Sequence, residues 1–196
     1  MKKISRVCAL ALLLAGSLAL ADAYDDAVNA FKAAGQSASF FSHSYGYAVF
    51  PTVGKAGFGV GAAHGTGKVY AHGKYIGDTS VTQLSAGLQI GAEAYREIIF
   101  FKDKRALDEF KSGNFELGAG ISATVIASSA SASTGTQGST AGASHQLDAT
   151  TAGAWHKGVA VFTITKGGAM AAAAVEGQKF SYKPSQVASA SESESR

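Results

Sequence analysis

Cysteine is all but missing from this sequence: the single one, Cys8, falls in the first 21 residues. Past that segment no disulfide framework, thiolate nucleophile or cysteine-based metal site is possible. A surplus of charge is missing too. Three of the 17 basic side chains, Lys2, Lys3 and Arg6, lie in residues 1–21, which hold no acidic one, so 14 basic residues face 14 acidic ones in the remainder. A chain so balanced has no persistent basic patch, and nucleic acid is not an expected partner. The apolar run 7–20 is too short for a stable membrane anchor, and polar chain follows at once. Together with the basic residues before it and Ala19-Leu20-Ala21 after it, this run has the three parts of a secretory signal. The sequence therefore predicts cleavage after Ala21 and a periplasmic or secreted protein.

Chemistry-bearing constellations are also lacking. His43, His64, His72, His145 and His156 share no metal-ligand spacing, no Gly-x-Ser-x-Gly elbow occurs, and the acidic residues form no pair confined to one apolar site. No catalytic residue, metal site or cofactor is expected, and the chain reads as a non-enzyme.

What the sequence has in plenty is glycine, concentrated between Tyr45 and Lys68. Gly54, Gly57, Gly59, Gly61, Gly65 and Gly67 fall within fourteen residues. Glycine weakens a strand and marks a bulge, a bend or a close approach of backbone. At period two, Gly57, Gly59 and Gly61 share one face of a strand whose other face carries Phe58 and Val60. That bare face meets either a ligand or a neighbouring element. A phosphate loop is ruled out: Gly67-Lys68 is followed by Val69, Ala62 stands where the first glycine belongs, and the setting is a hairpin. A dinucleotide fingerprint fails because Gly59-Val60-Gly61 is followed at the third position by His64, with no helix opening there.

Along the chain, residues 22–41 read as a helix with Tyr24, Val28 and Phe31 as its apolar stripe, ending before Phe40 and Phe41. Strands are expected at 47–50, ending at Pro51, and at 56–64 paired with 68–72 through a turn at Gly65-Thr66-Gly67. A turn at Gly73-Lys74 leads to 75–81. Leu84, Ala86, Leu88, Ile90, Ala92 and Ala94 alternate with Ser85, Gly87, Gln89, Gly91, Glu93 and Tyr95 as a long half-buried strand bending at Gly91. Residues 98–101 form a buried strand, and a helix at 103–112 is capped by Asp103, buries Ala106, Leu107 and Phe110, and stops at Gly113. A strand follows at 117–125. Residues 127–153, nearly all Ala, Ser, Thr and Gly, read as a flexible loop. Strands return at 158–165 and 168–176 across a turn at Lys166-Gly167, and 184–196 reads as a disordered tail. The expected architecture is one α+β domain, 22–183, mainly antiparallel β, its sheet curved toward a barrel or sandwich beside an N-terminal helix and one short internal helix.

The run Ala48-Val49-Phe50-Pro51-Thr52-Val53-Gly54-Lys55-Ala56-Gly57-Phe58-Gly59-Val60-Gly61, followed by Gly65-Thr66-Gly67, closely resembles the signature of the SYLF domain family. The resemblance continues through Gly87-Leu88-Gln89-Ile90-Gly91-Ala92, Ala106-Leu107-Asp108-Glu109-Phe110 and Thr165-Lys166-Gly167 to Val175-Glu176-Gly177, covering about residues 24–180. It implies the family's fold and a lipid-binding function. Eukaryotic members are described as binding phosphoinositides, and some act on actin; bacterial members are small exported proteins, for which no actin partner is expected. The expected function is therefore lipid or membrane-surface binding in the bacterial envelope, with phospholipid as partner. Lys55, beside the bare glycine face, and Lys68 and Lys74 are candidates for headgroup oxygens, since a lysine supplies a compact charge to an anion site. The alternative is a structural or protein-interaction module, self-associating through a strand edge, with Gly54, Gly57, Gly59 and Gly61 serving strand packing.

Overall fold

The computed structural model describes residues 22–113, 115–117, 124–126 and 155–186. The expected leader 1–21, the loop 127–153 and the tail from 187 lie outside the described residues, as does the middle of the expected strand 117–125.

The sheet consists of β1 (Gly46–Ala71), β2 (Lys74–Phe101), β3 (Glu116–Leu117), β4 (Thr124–Ile126) and β5 (Val159–Pro184). β2 lies between β1 and β5, antiparallel to both, while β3 pairs antiparallel and β4 parallel with the far edge of β5. The expected antiparallel character is present. The expected curvature is present as well, but the described strands do not close into a barrel: no pairing joins β1 to β3 or β4.

At 26 to 28 residues the three main strands are several times the usual length, because each bends and continues. The sharpest bend lies in β1 around Gly59, whose φ of +72° is open to glycine at no steric cost. Beyond it β1 returns over its own first half. A Cβ on Gly65 would come within 2.8 Å of the Thr52 carbonyl and the Val53 side chain, and one on Gly67 within 2.6 Å of the Phe50 ring. The sheet is thus doubled over, and these glycines lie where its two limbs meet.

This doubling corrects several expected breaks. Gly65-Thr66-Gly67 is strand rather than turn, its glycines serving close approach. The strand also runs on through Pro51, which sits at a register shift between Phe50 and Val53 in an outer strand, where a proline costs least. Lys166-Gly167 is no turn either: a register shift at Ala94/Tyr95 takes up Lys166 as the extra residue, and β5 continues. The hairpin turn between β1 and β2 is at His72-Gly73, one residue earlier than expected. Both have positive φ, 48° and 74°, which matches the twist of a two-residue hairpin.

Two apolar clusters hold the proximal half. Among the described residues the helices are α1 (22–33), α2 (Gly35–Ala38), α3 (Phe40–His43) and α4 (Lys104–Lys111). Between the limbs, Phe50, Val69, Ile99, Phe101 and Phe180 pack with Leu107 and Phe110 of α4. On the outer face of the first limb, Val49, Ile98, Phe100 and Phe162 meet Ala27 and Phe31 of α1, and Phe40 of α3. Ile98 to Phe101 is a continuous apolar run because its alternate side chains enter different clusters, leaving no face for water. The internal helix agrees with its sequence signals: the Asp103 side chain accepts from the Ala106 N–H at 2.9 Å, and Gly113 follows at φ +75°.

Candidate functional site

The region that departs from ordinary packing is the bend, where β1 turns at Phe58–Val60 and β2 crosses beside it at Leu84–Ile90. Alternation along β2 is as the sequence predicts, with the apolar face turned outward. Leu84, Leu88 and Ile90 point outward, Leu88 with 83 % of its surface exposed, while Gln83, Ser85 and Gln89 are buried. On β1, Phe58 is 80 % exposed and Val60 is exposed beside it. The expected half-buried strand is present, and the structure supplies its facing: the apolar set meets solvent and the polar set fills the interior.

The bare glycine face is occupied. A Cβ on Gly61 would lie 2.6 Å from the Ser85 hydroxyl and 2.7 Å from Gln89 Oε1, and one on Gly57 would lie 2.8 Å from the Gly61 Cα. Gln89 plugs the bend: its Oε1 accepts from the Ser85 hydroxyl at 2.8 Å, and its Nε2 donates to the Ser85 carbonyl at 3.1 Å and the Gly59 carbonyl at 3.3 Å. Gly57 and Gly61 therefore serve tight packing over a glutamine. Gly54 is different, with nothing within 4 Å of an added Cβ, and Gly59 supplies the positive φ of the turn.

From Gln89 the polar interior continues inward. Gln83 Oε1 accepts from the Tyr95 hydroxyl at 3.1 Å and from Gln178 Nε2 at 3.0 Å, and Gln178 also donates to Glu97 Oε2 at 3.1 Å. Glu97 is fully buried, and burial pushes its carboxyl up to about 7, although the bond from Gln178 acts the other way. Among the described residues its Oε1 has no hydrogen-bond partner.

The three candidate lysines do not converge. Lys55 points inward, only 8 % exposed, with its Nζ 3.9 Å from a carboxylate oxygen of Glu93. Lys68 lies on the return limb with its Nζ over the rings of Tyr24 at 4.5 Å and Tyr75 at 5.4 Å. Lys74 is exposed beside the His72-Gly73 turn, at the opposite end of the sheet from the bend. An exposed cation nearer the bend was missed: Lys166 Nζ donates to Thr52 Oγ1 at 2.6 Å and the Pro51 carbonyl at 3.3 Å. Among the described residues no group of three or more His, Cys, Asp or Glu could hold a metal ion, and no helix is long and apolar enough to cross a membrane.

The outward set also escaped the sequence reading, although one signal was available. No Asp, Glu, Lys or Arg occurs in 56–67, 79–92 or 167–175, and the register brings these stretches together: Phe58 pairs with Ile90, and Ile90 with Ala171.

A family model described as Ysc84, Las17-binding protein actin regulator, matches residues 82–188, just over half the chain. The match takes in most of β2, α4 and β5, and so includes Leu84, Leu88 and Ile90. Comparison with curated proteins and with solved structures gives no match.

Proposed function

The chain belongs to the Ysc84 family, the SYLF domain family, and from that premise we propose that it is a non-enzymatic lipid- or membrane-surface-binding protein of the bacterial cell envelope. The observation that supports this reading is the outward cluster of Phe58, Val60, Leu84, Leu88 and Ile90 at one end of the molecule. Water-exposed apolar side chains gathered in this way mark an interaction surface. Withdrawing each from water is worth about 1.5–3 kcal/mol at full burial, so part of that from five residues is enough to hold a protein at an interface.

The expected anionic-headgroup contacts become secondary in this reading. Lys166, exposed and tethered to Thr52, is better placed for them than the inward-facing Lys55. Export is the other half of the proposal: N-terminal sequencing of the processed protein is expected to begin at Asp22.

Co-sedimentation of the processed chain with phosphatidylcholine vesicles, with and without phosphatidylglycerol, tests the function. Pelleting is expected with both compositions and at both low and physiological salt, because an apolar contact is little screened. Failure to pellet with either composition overturns the reading in favour of a protein-interaction module without a lipid ligand.

A further inference from the structure

We infer that the bend enters the hydrocarbon of one bilayer leaflet, with Phe58 and Leu88 deepest and Thr52, His64 and Lys166 at headgroup level. This rests on the membrane reading above and specifies how the surface is engaged.

The first support is the inverted packing. A segment folded for water turns its apolar face inward. Here Leu84, Leu88 and Ile90 face out while Gln83, Ser85 and Gln89 are buried and hydrogen-bonded to one another, to backbone or to neighbouring polar groups. Apolar outside and polar inside is the alternation of strands that meet lipid. Gln89 fits that arrangement, since its amide satisfies the Gly59 carbonyl at the tightest point, where an unpaired polar group in hydrocarbon is most costly.

The second is the charge-free band. The uncharged stretches of β1 and β2 coincide, and that of β5 joins them along 86–92, whereas Glu176 pairs with Ser85 and Lys179 with Thr82 on the return limb. On β1 charge returns just beyond the band: Lys55 is paired in register with Glu93, and Lys68 with Asp78. The exposed positions follow the same order. Away from Phe58 and Val60 come Ala56 and Ala62, and then the exposed polar residues Thr52, His64 and Thr66. At about 3.3 Å per residue, the six residues from Thr52 to Phe58 span at most roughly 20 Å, and a strand tilted by about 40° would project this onto the roughly 15 Å of one leaflet's hydrocarbon.

The shape selects the occupant. The exposed side chains lie on both sides of the fold, Val60 and Leu84 on the return limb and Ile90 on the first, so the patch wraps a convex end. Fluid acyl chains enclose such an end, whereas a second copy could seat against only one side of it. The outer edge of β1 is unpaired among the described strands, and because an open edge is costly in hydrocarbon, a span of the bilayer is ruled out and entry is held to the tip of the bend and its outward side chains.

The test uses the processed chain, which holds no cysteine, with an environment-sensitive NBD label on Leu88→Cys and, separately, on Ile90→Cys and Lys74→Cys. Circular dichroism verifies that each variant is folded. With phosphatidylcholine–phosphatidylglycerol vesicles, emission from positions 88 and 90 is expected to shift to the blue and to be quenched about twofold or more strongly by spin labels on the acyl chains than by headgroup labels, with position 74 unchanged. Co-sedimentation with quenching from the headgroup labels alone overturns insertion and leaves surface binding intact. Absence of co-sedimentation overturns both. Blue emission at 88 and 90 before vesicles are added overturns the inference in favour of another cover: a second copy if light scattering gives a dimer, the chain's own residues 127–153 if it gives a monomer.

Discussion

Gln178 of β5 donates to Glu97 of β2 across 3.1 Å, joining the two limbs of the doubled sheet through a carboxylate that has no contact with water. The other carboxylate oxygen finds no partner among the described residues, and burial, which disfavours the charged form, pushes the group up to about 7.

That position has a signed consequence for stability. An acid whose folded value is raised keeps its proton in the native state while the unfolded chain has already lost it. Stability is therefore complete at or below about pH 4.5, falls as the pH rises to about 7, and levels off above that. Glu97→Gln removes the group, and urea unfolding of the variant is expected to lack this decline, gaining about 3 kcal/mol over the parent at pH 8 and little at pH 4.5.

The doubled β1 distinguishes glycines that look alike in sequence. Gly67→Ala drives a methyl into the Phe50 ring and the Val49 carbonyl, and is expected to cost about 1–3 kcal/mol in denaturant unfolding. Gly54→Ala meets nothing and is expected to change stability by less than about 0.5 kcal/mol.

Local signals were the legible part of this fold. Asp103, Phe110 and Gly113 mark α4 because a cap, an apolar face and a left-handed stop all act within one helix. The buried run Ile98–Phe101 is similarly local, as is the β1–β2 hairpin, expected one residue later, at Gly73-Lys74. What the sequence hid is non-local. Gly65 and Gly67 resemble a turn, but they are glycine because Thr52, Val53 and Phe50, twelve or more residues away in the chain, pack onto them. Period-two alternation places Leu84, Leu88 and Ile90 on one face without saying whether that face looks in or out, and the interior site of Gln89 depends on a bend in the neighbouring strand. The lysines were misleading for the same reason, since Lys55 is turned inward by the register shift at Pro51.

Asp103→Ala removes the side-chain acceptor for the Ala106 N–H and is expected to cost about 1 kcal/mol, within a range of roughly 0.5–2. Because α4 packs near Phe101 and Phe180, away from the bend, vesicle binding at temperatures where the variant is folded is expected to be unchanged.

Lys55→Ala is expected to act on stability more than on binding. Its ammonium lies inside the sheet beside Glu93, and truncation leaves a half-buried carboxylate without that cation, at a cost of about 1–3 kcal/mol in urea unfolding. A large loss of vesicle affinity with unfolding unchanged would return Lys55 to the lipid contact.

The most direct measurement compares vesicle co-sedimentation of the parent protein with Phe58→Ser/Leu88→Ser, using Lys74→Ala as the comparator. Two large side chains withdrawn from water at about 1.5–3 kcal/mol each predict a loss of affinity of about a hundredfold or more in the double variant, with its circular dichroism unaltered and Lys74→Ala within about twofold of the parent. A folded double variant that pellets as well as the parent contradicts membrane binding through the bend.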